Sequence, residues 1–470
     1  MVRRWMERHA YIFFLLPGLV LYGVFMVYPL ASSLGYSLFH WDGLIRGPFA
    51  GLENFKTVLT RSPYQARFWG ALSHNVLFFV TTFAIQTTLG LALAVLFRKK
   101  WRGFGFFQTV YFIPYTLSMV VVGFLWLLLL NPTWGAFNQF LRLIGLGSWV
   151  QPWLGQTETA LWTIILVNAW RWLGFPILVF LAGLQGIPEE LHEAATVDGA
   201  TGWQTFRHVT LPLLAPVIGM MTILTFIWDF NAFELVFIMQ GSSGNPYYST
   251  DLLGTLFYRT AFGDSTTGGE PGQIGIASAI AVLMLIIIKT AMAEAAGGVL
   301  MATRLDLAAE RKATVAPRRW RAAGGKVLIY GGLTLLALIF VYPLFLMVIT
   351  AFKSTREIFL DPFGLPSRWS LEPFITVWRR ANFSTYFRNS VLVTAASTVL
   401  VLTCSSLAAY ALGRYRFRLN NALYIFFLAG IMIPIRLGVL PLFLLMRNLN
   451  LLDTHWSLIL TYAASGMPMS

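Results

Sequence analysis

The chain has 470 residues, of which 57% are hydrophobic and only 11% are charged. Soluble proteins carry roughly 25% charged residues, so the composition argues against soluble enzymes, disordered chains and secreted disulfide scaffolds. The net charge is +14, but the basic residues stand in short runs beside apolar stretches, where the positive-inside rule accounts for them, and no nucleic-acid partner is expected. The composition predicts an all-α protein built of polytopic transmembrane helices.

The residues that usually carry metal or catalytic chemistry are sparse. Cys404 is the single cysteine, so the chain can form neither an internal disulfide nor a cysteine-based metal cage. The six histidines include no His-x-x-x-His pair, and their positions indicate no Ser/His/Asp arrangement. Gly325-Lys326 does not end a phosphate loop, because Trp320 stands where the first glycine would be and Val327 where Ser or Thr would coordinate magnesium. We therefore predict no catalytic residue, no metal site and no cofactor bound by this chain.

Ten apolar stretches are candidates for membrane spans, since a crossing helix needs roughly 20 mostly apolar residues. Six complete spans lie in the first 300 residues, at about 11–36, 72–97, 104–130, 160–183, 214–239 and 274–300. About four more belong to a second, incomplete repeat, at 327–350, 390–412, 421–446 and from near Trp456 onward. The last stretch reaches Ser470 after about 15 residues, fewer than a crossing needs.

The basic residues indicate the orientation of the chain. Arg3, Arg4 and Arg8 precede the first span, which predicts a cytoplasmic N-terminus. That span is too long for a signal peptide, and no clear cleavage site follows it, so we interpret it as a retained helix. Residues 351–389 are expected outside yet contain six basic residues, which opposes the positive-inside rule for the second half.

An internal repeat divides the chain. Val27-Tyr28-Pro29-Leu30 returns 314 positions later as Val341-Tyr342-Pro343-Leu344, and Asn75 matches Asn389 at the same offset. Ile113-Pro114 returns as Ile433-Pro434. We therefore predict two similar membrane units, 1–300 and 327–470, joined by a cytoplasmic linker at 301–326. Repeats of this kind usually place a transport path at their interface.

The segment between the fourth and fifth spans has the pattern of a short helix on the cytoplasmic face. Pro188 suits the first helical position, where no N–H is needed, and the acidic residues after it favour the positive end of the helix dipole. Gly199 can end the helix with a positive φ. A helix that merely rests on lipid headgroups is the plain alternative, but anionic lipids would repel the carboxylates of Glu189, Glu190 and Glu193.

The same segment resembles the EAA loop of binding-protein-dependent ABC importer permeases. Leu191, Ala194 and Ala195 share one face of the predicted helix, and the two alanines allow a partner to approach closely. The resemblance lies in one pattern: Glu193-Ala194-Ala195, three residues, Gly199, nine residues, Val209, one residue, Leu211-Pro212. In that family the loop forms a coupling helix that docks in a cleft of a cytoplasmic ATPase. The resemblance assigns this role to Glu189, Glu190, Glu193, Ala194, Ala195, Asp198, Gly199, Leu211 and Pro212.

The resemblance extends over both predicted units. Residues 1–300 are similar to a complete first permease subunit of the carbohydrate-uptake class (maltose or glycerol-phosphate type), through Gly51-Leu52-Glu53-Asn54-Phe55, Pro152-Trp153-Leu154-Gly155 and Leu181-Ala182-Gly183-Leu184-Gln185. Residues 327–470 are similar to its sister subunit, through Ala351-Phe352-Lys353-Ser354, Leu407–Leu412 and Met432-Ile433-Pro434. A second coupling loop would fall beyond Ser470, so we interpret the chain as a fusion that is truncated before that loop.

The resemblance implies a permease component of an ABC importer that translocates a sugar or related polyol. A solute-binding protein would deliver the substrate from outside, and a sister permease half, fused or separate, would complete the path. ATP and magnesium would bind to cytoplasmic ABC ATPase subunits, so the chain itself is not expected to be an enzyme. The implied location is the cytoplasmic membrane of a bacterium or archaeon.

Polar groups inside spans are candidates for contact with the substrate. Asn168 and Arg171 lie in the fourth predicted span, and Trp228, Asp229 and Asn231 in the fifth. The helical rise separates Arg171 and Asp229 by about 10 Å in depth, a long reach for an ion pair, whereas Asn168 is nearer to Asp229. We hypothesise that Asn168, Asp229 and Asn231 bind sugar hydroxyls while Trp228 stacks on the ring. The alternative is that these groups satisfy one another and cap broken helices.

Two other function classes fit a polytopic helical chain. An ion-coupled secondary transporter with six plus six helices would need membrane-buried acids, for which Asp229 is the one tempting case, and a G-x-x-x-D-R-x-G-R-R signature that Arg98–Gly103 does not supply. A non-transporting scaffold would leave the coupling loop without a purpose. Uptake that depends on ATP separates the importer from the first alternative, and association with an ATPase subunit separates it from the second.

Overall fold

The computed structural model describes residues 2–98, 103–263, 273–306, 323–432 and 438–470. Most of the predicted linker at 301–326 and the repeat landmark Ile433-Pro434 lie outside the described residues. The chain divides into two compact units. Unit 1 comprises Met1–Trp69, Leu256–Ile287 and Phe374–Ser470, and unit 2 comprises Gly70–Thr255 and Ile288–Pro373. Each unit therefore contains residues from both predicted sequence repeats.

The described residues are almost entirely helical. The first helices are α1 (Val2–Tyr22), α2 (Tyr28–Tyr36), α3 (Glu53–Thr60), α4 (Tyr64–Arg98), α5 (Phe104–Thr116), α6 (Met119–Leu129) and α7 (Ala136–Leu143). A π-helical turn, Gly23–Val27, joins α1 to α2. The strands β1 (Phe39–Asp42) and β2 (Ile45–Phe49) form an antiparallel hairpin.

The remaining helices follow in two groups. The middle of the chain contains α8 (Thr157–Trp172), α9 (Gly174–Gln185), α10 (Glu189–Val197), α11 (Gly202–Thr205), α12 (Leu211–Leu213), α13 (Ala215–Phe230), α14 (Glu234–Gln240), α15 (Leu253–Phe262) and α16 (Ile274–Asp306). The last part contains α17 (Ala323–Thr350), α18 (Thr355–Leu360), α19 (Glu372–Arg380), α20 (Phe383–Arg414), α21 (Asn420–Met432), α22 (Val439–Asn448) and α23 (His455–Gly466).

Five helical segments are long and apolar enough to cross a membrane, or up to eight if each bent pair of helices counts as one span. The five are Ala10–Tyr36, Tyr64–Arg98, Ile274–Glu294, Leu328–Thr350 and Phe383–Arg414. The bent pairs are α5 with α6 at 98°, α8 with α9 at 47°, and Gly202–Leu213 with α13 at 62°. The predicted all-α class of apolar spans is confirmed.

Several predicted spans are interrupted at positions that their hydropathy does not indicate. The stretch 104–130 was expected to be continuous, but Leu117 is extended and Ser118 caps α6 by accepting a hydrogen bond from the Val121 amide at 3.3 Å. Within the stretch 214–239, α13 ends at Phe230; the Asn231 amide still bonds the Ile227 carbonyl at 3.1 Å, and the Asn231 side chain bonds the same carbonyl at 2.7 Å. The stretch 421–446 contributes α21 and α22, and residues 433–437 lie outside the described residues.

In unit 1, α1 packs against α20 and α23. Tyr22 is fully buried, its hydroxyl donates to the Phe426 carbonyl at 3.2 Å, and its ring meets the Phe426 ring edge-on at 5.0 Å. The landmark Asn54 is also buried, and its amide donates to the carbonyls of Ser37 and Phe39 at 2.8 and 3.0 Å. Asn54 thereby ties α3 to the start of the β hairpin.

In unit 2, α17 packs against α5 and α6. Tyr111 is completely buried, and its hydroxyl donates to the Leu333 carbonyl of α17 at 2.7 Å. The apolar interior of this unit is formed by α5, α8, α9 and α13, with fully buried Ile164, Ile165, Phe180, Leu184 and Leu214. This packing fixes the positions of both segments that carry the polar candidates.

Candidate functional site

The short helix predicted between the fourth and fifth spans is present as α10. Its first helical residue is Glu189, and Pro188 stands one position earlier, with φ −54° and ψ 135°. The prediction that Pro188 occupies the first helical position was therefore wrong by one residue: its φ is compatible with a helix, but its extended ψ makes it the capping residue. Glu189 and Glu190 lie in the first turn, where the helix dipole favours their charge.

Gly199 ends α10 as predicted. Its φ is +78°, a left-handed conformation that strains any residue with a Cβ. The Gly199 amide donates to the Thr196 carbonyl at 3.1 Å and the Ala200 amide to the Ala195 carbonyl at 2.9 Å. This pair of bonds is a Schellman motif, which satisfies carbonyls that the helix end leaves free. The C-terminal end of α10 is therefore capped before the chain turns toward α11.

The faces of α10 differ in exposure. Ala195 is 9% exposed, and α11 and the π-helical turn Phe206–Thr210 pack against α10. Glu190, Leu191 and Glu193 are exposed, with Leu191 at 41%. The expectation that both alanines allow a partner to approach closely does not hold for Ala195, which is buried. Ala194 is half-buried and Asp198 is exposed.

The face of α10 that carries Glu189 and His192 contacts the end of α4, and the Glu189 side chain is 74% exposed there. Arg98, the last residue of α4, donates from Nη2 to Oε2 of Glu189 at 3.0 Å, and its Nη1 lies 2.6 Å from Nε2 of His192. Arginine can only donate, so Nε2 of His192 accepts. Burial lowers the pKa of His192, the Arg98 guanidinium lowers it further, and Glu189 acts in the opposite direction. The contact requires a neutral imidazole.

The chain returns from α10 to the spans through α11 and α12. Thr201 and Gln204 form a reciprocal capping box at α11, with bonds of 2.7 and 3.3 Å. Trp203 is 66% exposed and stacks on Phe206 at 5.6 Å. Leu211 and Pro212 lie half-buried in α12, immediately before the bend that leads into α13. The segment that contains α10 therefore leads directly into the helix that carries Asp229.

Asp229 lies near the end of α13 in a buried polar cluster. Its side chain is 4% exposed, and Oδ1 accepts a hydrogen bond from Nδ2 of Asn168, which is 5% exposed, at 3.4 Å. The Asp229 carbonyl accepts from Nδ2 of Asn75 at 3.0 Å, and Oδ1 of Asn75 accepts from the Leu253 amide at 2.8 Å. Within the described parts of the chain, Oδ2 of Asp229 is buried without a hydrogen-bond partner.

Arg171 serves a different contact. Its Nε and Nη2 donate to the Leu117 carbonyl at 3.3 and 2.9 Å, at the break between α5 and α6. Its guanidinium lies 4.8 Å from the centre of the Trp172 ring. No ion pair to Asp229 is found among the described residues, in agreement with the depth argument. Nη1 of Arg171 is buried, and the described residues offer it no hydrogen-bond partner.

Aromatic rings stand beside this polar cluster. Trp228, the neighbour of Asp229, stacks on Trp172 with centroids 4.9 Å apart and planes 24° apart. Phe175 meets Trp228 edge-on at 5.4 Å, and Tyr115 meets Trp172 edge-on at 5.3 Å. All four rings are half-buried. Asn231 follows as the cap of α13, one turn beyond Ile227, whose carbonyl it bonds.

Four residues of these sites were not among the sequence candidates. Arg98, His192 and Trp172 had no assigned site role, and Asn75 appeared only as a repeat landmark. The basic end of a long span and a repeated asparagine were visible signals, but their partners are distant in sequence. Among the described residues, no group of three or more His, Cys, Asp or Glu side chains could hold a metal ion.

The apolar helices, which are long enough to cross a membrane, indicate a multi-pass membrane protein. Residues 86–295 match the family described as binding-protein-dependent transport system inner membrane component. A probable ABC transporter permease protein of Bacillus subtilis (YurN) is 34% identical over 279 residues, which cover 58% of this chain and 90% of that protein. The chain belongs to this family of ABC transporter permeases. Its membership does not favour the alternative of an ion-coupled secondary transporter.

Two further comparisons agree with this assignment. The trehalose/maltose transport system permease protein MalF of Thermococcus litoralis is 31% identical over 279 residues, covering 58% of this chain and 88% of that protein. The crystal structure of a bacterial alginate ABC transporter in complex with an alginate pentasaccharide-bound periplasmic protein matches with a TM-score of 0.50 at 24% identity. That match covers 66% of this chain and 99% of the other chain, and it shows a shared fold.

Proposed function

We propose that this permease imports a sugar or related polyol that a solute-binding protein delivers, and that separate ABC ATPase subunits power the transport. The relative from Thermococcus litoralis is named for trehalose and maltose transport, which supports the substrate class. The observation that carries the proposal is the half-buried stack of Trp172 on Trp228 next to the buried cluster of Asn168 and Asp229. Flat apolar rings beside fixed polar groups suit a sugar, which has both apolar faces and hydroxyls.

The unsatisfied buried groups support a ligand at this place. Oδ2 of Asp229 is an acceptor and Nη1 of Arg171 a donor, and neither has a hydrogen-bond partner among the residues that the structure describes. Leaving such groups buried and unpaired costs about 1–3 kcal/mol each. Substrate hydroxyls or water would remove that cost. In this proposal Arg171 contributes mainly by stabilising the break between α5 and α6 at Leu117. Asn231 contributes by capping the end of α13 beside the substrate path.

Uptake assays test the substrate class. The complex, purified through a tag on this chain and reconstituted in vesicles with its binding protein, is offered radiolabelled maltose, trehalose, lactose and glycerol 3-phosphate, with and without ATP inside. We expect accumulation of at least one of them, and only with ATP. Accumulation that follows an ion gradient without ATP would contradict the proposal, as would ATP-driven uptake of amino acids in place of every sugar and polyol.

The exposed side of α10 is proposed to dock on the ATPase. Glu190, Leu191 and Glu193 are exposed there, next to half-buried Ala194 and exposed Asp198. Glu189 and Gly199 set the two ends of the helix, and Leu211 and Pro212 connect it to α13. ATP and magnesium would bind on that partner, and its closure would pull α10 and rock the spans. In this arrangement α10 and the N-terminus are cytoplasmic.

Co-purification tests the docking surface. The wild-type chain, extracted from its host membranes in mild detergent, is expected to retain a subunit that hydrolyses ATP. Glu193→Lys should lower that retention about tenfold, since a like charge placed in an interface costs several kcal/mol. Glu158→Lys is the matched control, because Glu158 is an exposed acidic residue in the first turn of α8. Equal retention by both variants would remove α10 from the interface.

We also propose that the chain is a fusion of two sequence-related permease units, 1–300 and 327–470, joined through 301–326. The repeated landmarks at an offset of 314 residues support this division. In each compact unit, helices from both repeats pack together: α1 with α20 and α23, and α17 with α5 and α6. Two halves that complete each other's packing are expected if they act as the two permease halves of one importer.

A further inference from the structure

Helix α4 contacts both candidate functional segments of unit 2. It runs without a break from Tyr64 to Arg98, the longest helix in the described part of the chain. At its end, Arg98 bonds Glu189 and His192 of the coupling helix. Near its start, Asn75 bonds the carbonyl of Asp229 and the amide of Leu253. Asn75 and Arg98 are 23 positions apart, which corresponds to about 35 Å at the helical rise.

The contact at Arg98 positions α10 through the face that carries Glu189 and His192. Glu189 and His192 are three residues apart, so they lie on the same face of α10, and each accepts from a different nitrogen of one guanidinium. The Arg98 side chain is 23% exposed. Because the planar fork of arginine fixes two bonds in two directions, a lysine at this position could not reproduce the contact. The exposed residues Glu190 and Glu193 remain available to a partner.

The contact at Asn75 is built to hold the end of α13. Asn75 is fully buried, and its single amide both donates to the last turn of α13 and accepts from the first backbone amide of α15. It therefore fixes the backbone of Asp229 itself, whose side chain faces Asn168. Between these two contacts, Gly90 lets α4 lie close to α9: an added Cβ would stand 2.9 Å from the Pro176 side chain. Close packing prevents α4 from sliding freely.

We propose that α4 is a rigid link that transmits a displacement of the coupling helix to the backbone of Asp229, with Arg98 and Asn75 as positioning residues at its two ends. The proposal rests on the proposed function, because it gives α10 and Asp229 their roles. A stiff helix bonded at both ends moves as one body, whereas a flexible loop would absorb the displacement. In this mechanism neither residue touches substrate or nucleotide. Each acts through the element that it holds.

Hydrogen exchange on the purified full chain in lipid nanodiscs tests the link without ATPase or substrate. Arg98→Ala should speed exchange about threefold or more in residues 189–197 and also at the Leu253 amide and the end of α13, because loosened elements exchange faster. Asn75→Ala should produce the reciprocal change in α10. The double variant should add little to the larger single effect, since both residues act on one element.

Two further variants keep the test decisive. Arg98→Lys retains the charge and a folded surface, and it should give a smaller change at both ends. Arg414→Ala is the matched control, because Arg414 is the last residue of the long helix α20 in unit 1; it should leave residues 189–197 and Leu253 unchanged. If Arg98→Ala changes exchange only around α10, the link is wrong and the contact merely anchors that helix locally.

A second readout separates this proposal from the proposed function. In the reconstituted complex, Arg98→Ala should retain the ATPase subunit at the wild-type level, because the exposed side of α10 is unchanged. It should lower the amount of sugar carried per ATP hydrolysed about threefold or more, because the displacement is no longer transmitted. Failure of the wild-type chain to bind an ATPase would contradict the proposed function. Normal coupling in Arg98→Ala, with the ATPase bound, would contradict the link alone.

Discussion

The side-chain amide of Asn168 donates a hydrogen bond to Oδ1 of Asp229 at 3.4 Å. The two residues are 61 positions apart, on α8 and α13, and both are almost fully buried. Oδ2 of the same carboxyl group has no hydrogen-bond partner among the described residues. A carboxyl that is held on one side and unsatisfied on the other can accept a hydrogen bond from a further donor, and in the proposed function that donor is a sugar hydroxyl.

Asp229→Asn should weaken substrate binding without unfolding the chain. The change keeps the volume but replaces an acceptor by a donor, and one hydrogen bond contributes about 0.5–1.5 kcal/mol. We expect the KM for ATP-driven sugar uptake to rise about three- to tenfold. Asp42→Asn, at an exposed position at the end of β1, is the control and should leave KM unchanged. An unaltered KM in Asp229→Asn would remove this residue from the substrate path.

Trp228→Leu should weaken binding by removing an aromatic face. Trp228 and Trp172 stack at 4.9 Å, and aromatic pairs contribute about 0.5–1.5 kcal/mol beyond the area that they bury. We expect a KM about tenfold higher for sugar uptake, with the amount of extracted protein nearly unchanged. Trp149→Leu removes a tryptophan that is 63% exposed and serves as the control. Equal KM values in the two variants would indicate that the stack only supports the spans.

The sequence was most informative where a local rule governs the backbone. Hydropathy placed the spans, because a crossing helix must be long and apolar. The turn at Gly199 followed from its conformational freedom, and the observed φ of +78° agrees. The depth argument, based only on the rise per residue, correctly favoured Asn168 over Arg171 as the neighbour of Asp229.

The sequence did not predict the features that depend on tertiary contacts. The break after Thr116 is stabilised by Arg171, which donates to the Leu117 carbonyl from 54 positions away, and no periodicity reveals such a partner. Ala195 is buried in a helix against which α11 and the following π-helical turn pack, and spacing alone does not reveal which side of α10 such contacts cover. The contacts of Arg98 and Asn75 likewise join residues that are 91 to 178 positions apart.

Arg171→Lys should disturb the break between α5 and α6. Two guanidinium nitrogens bond the Leu117 carbonyl, and an ammonium group cannot reproduce that geometry. We expect the amides of residues 117–121 to exchange with solvent several-fold faster, because an unsatisfied carbonyl there costs about 1–3 kcal/mol. Arg142→Lys, at an exposed position in the last turn of α7, should show no such effect. Unchanged exchange at residues 117–121 would show that the break does not depend on Arg171.

Gly199→Ala should loosen the end of the coupling helix. The position has a φ of +78° and no neighbouring atom within 4 Å of an added Cβ, so the cost comes from the backbone alone. A left-handed conformation costs a residue with a Cβ about 1–2 kcal/mol. We expect faster exchange of the Ala200 amide and, because Gly199 is itself exposed in the proposed docking segment whereas Arg98 is not part of it, lower retention of the ATPase. Gly202→Ala, which also has open space around it but no positive φ, is the control and should change neither measurement.

The contact between Arg98 and His192 should fail at acidic pH. Burial and the Arg98 guanidinium lower the pKa of His192 in the folded chain, so the unfolded segment binds a proton more readily than the folded one. The contact therefore stabilises α10 fully above the ordinary histidine pKa of about 6.5, and the stabilisation is lost as the pH falls through the lower folded value. Protonation would place two cations 2.6 Å apart.

We expect amide exchange in residues 189–197, corrected for the intrinsic effect of pH, to rise in acid in the wild-type chain. The rise should be absent in His192→Gln, which cannot be protonated, and should persist in His208→Gln, which changes the exposed histidine of the same segment. If His208→Gln also abolishes the rise, or His192→Gln preserves it, the acid sensitivity does not arise from this contact.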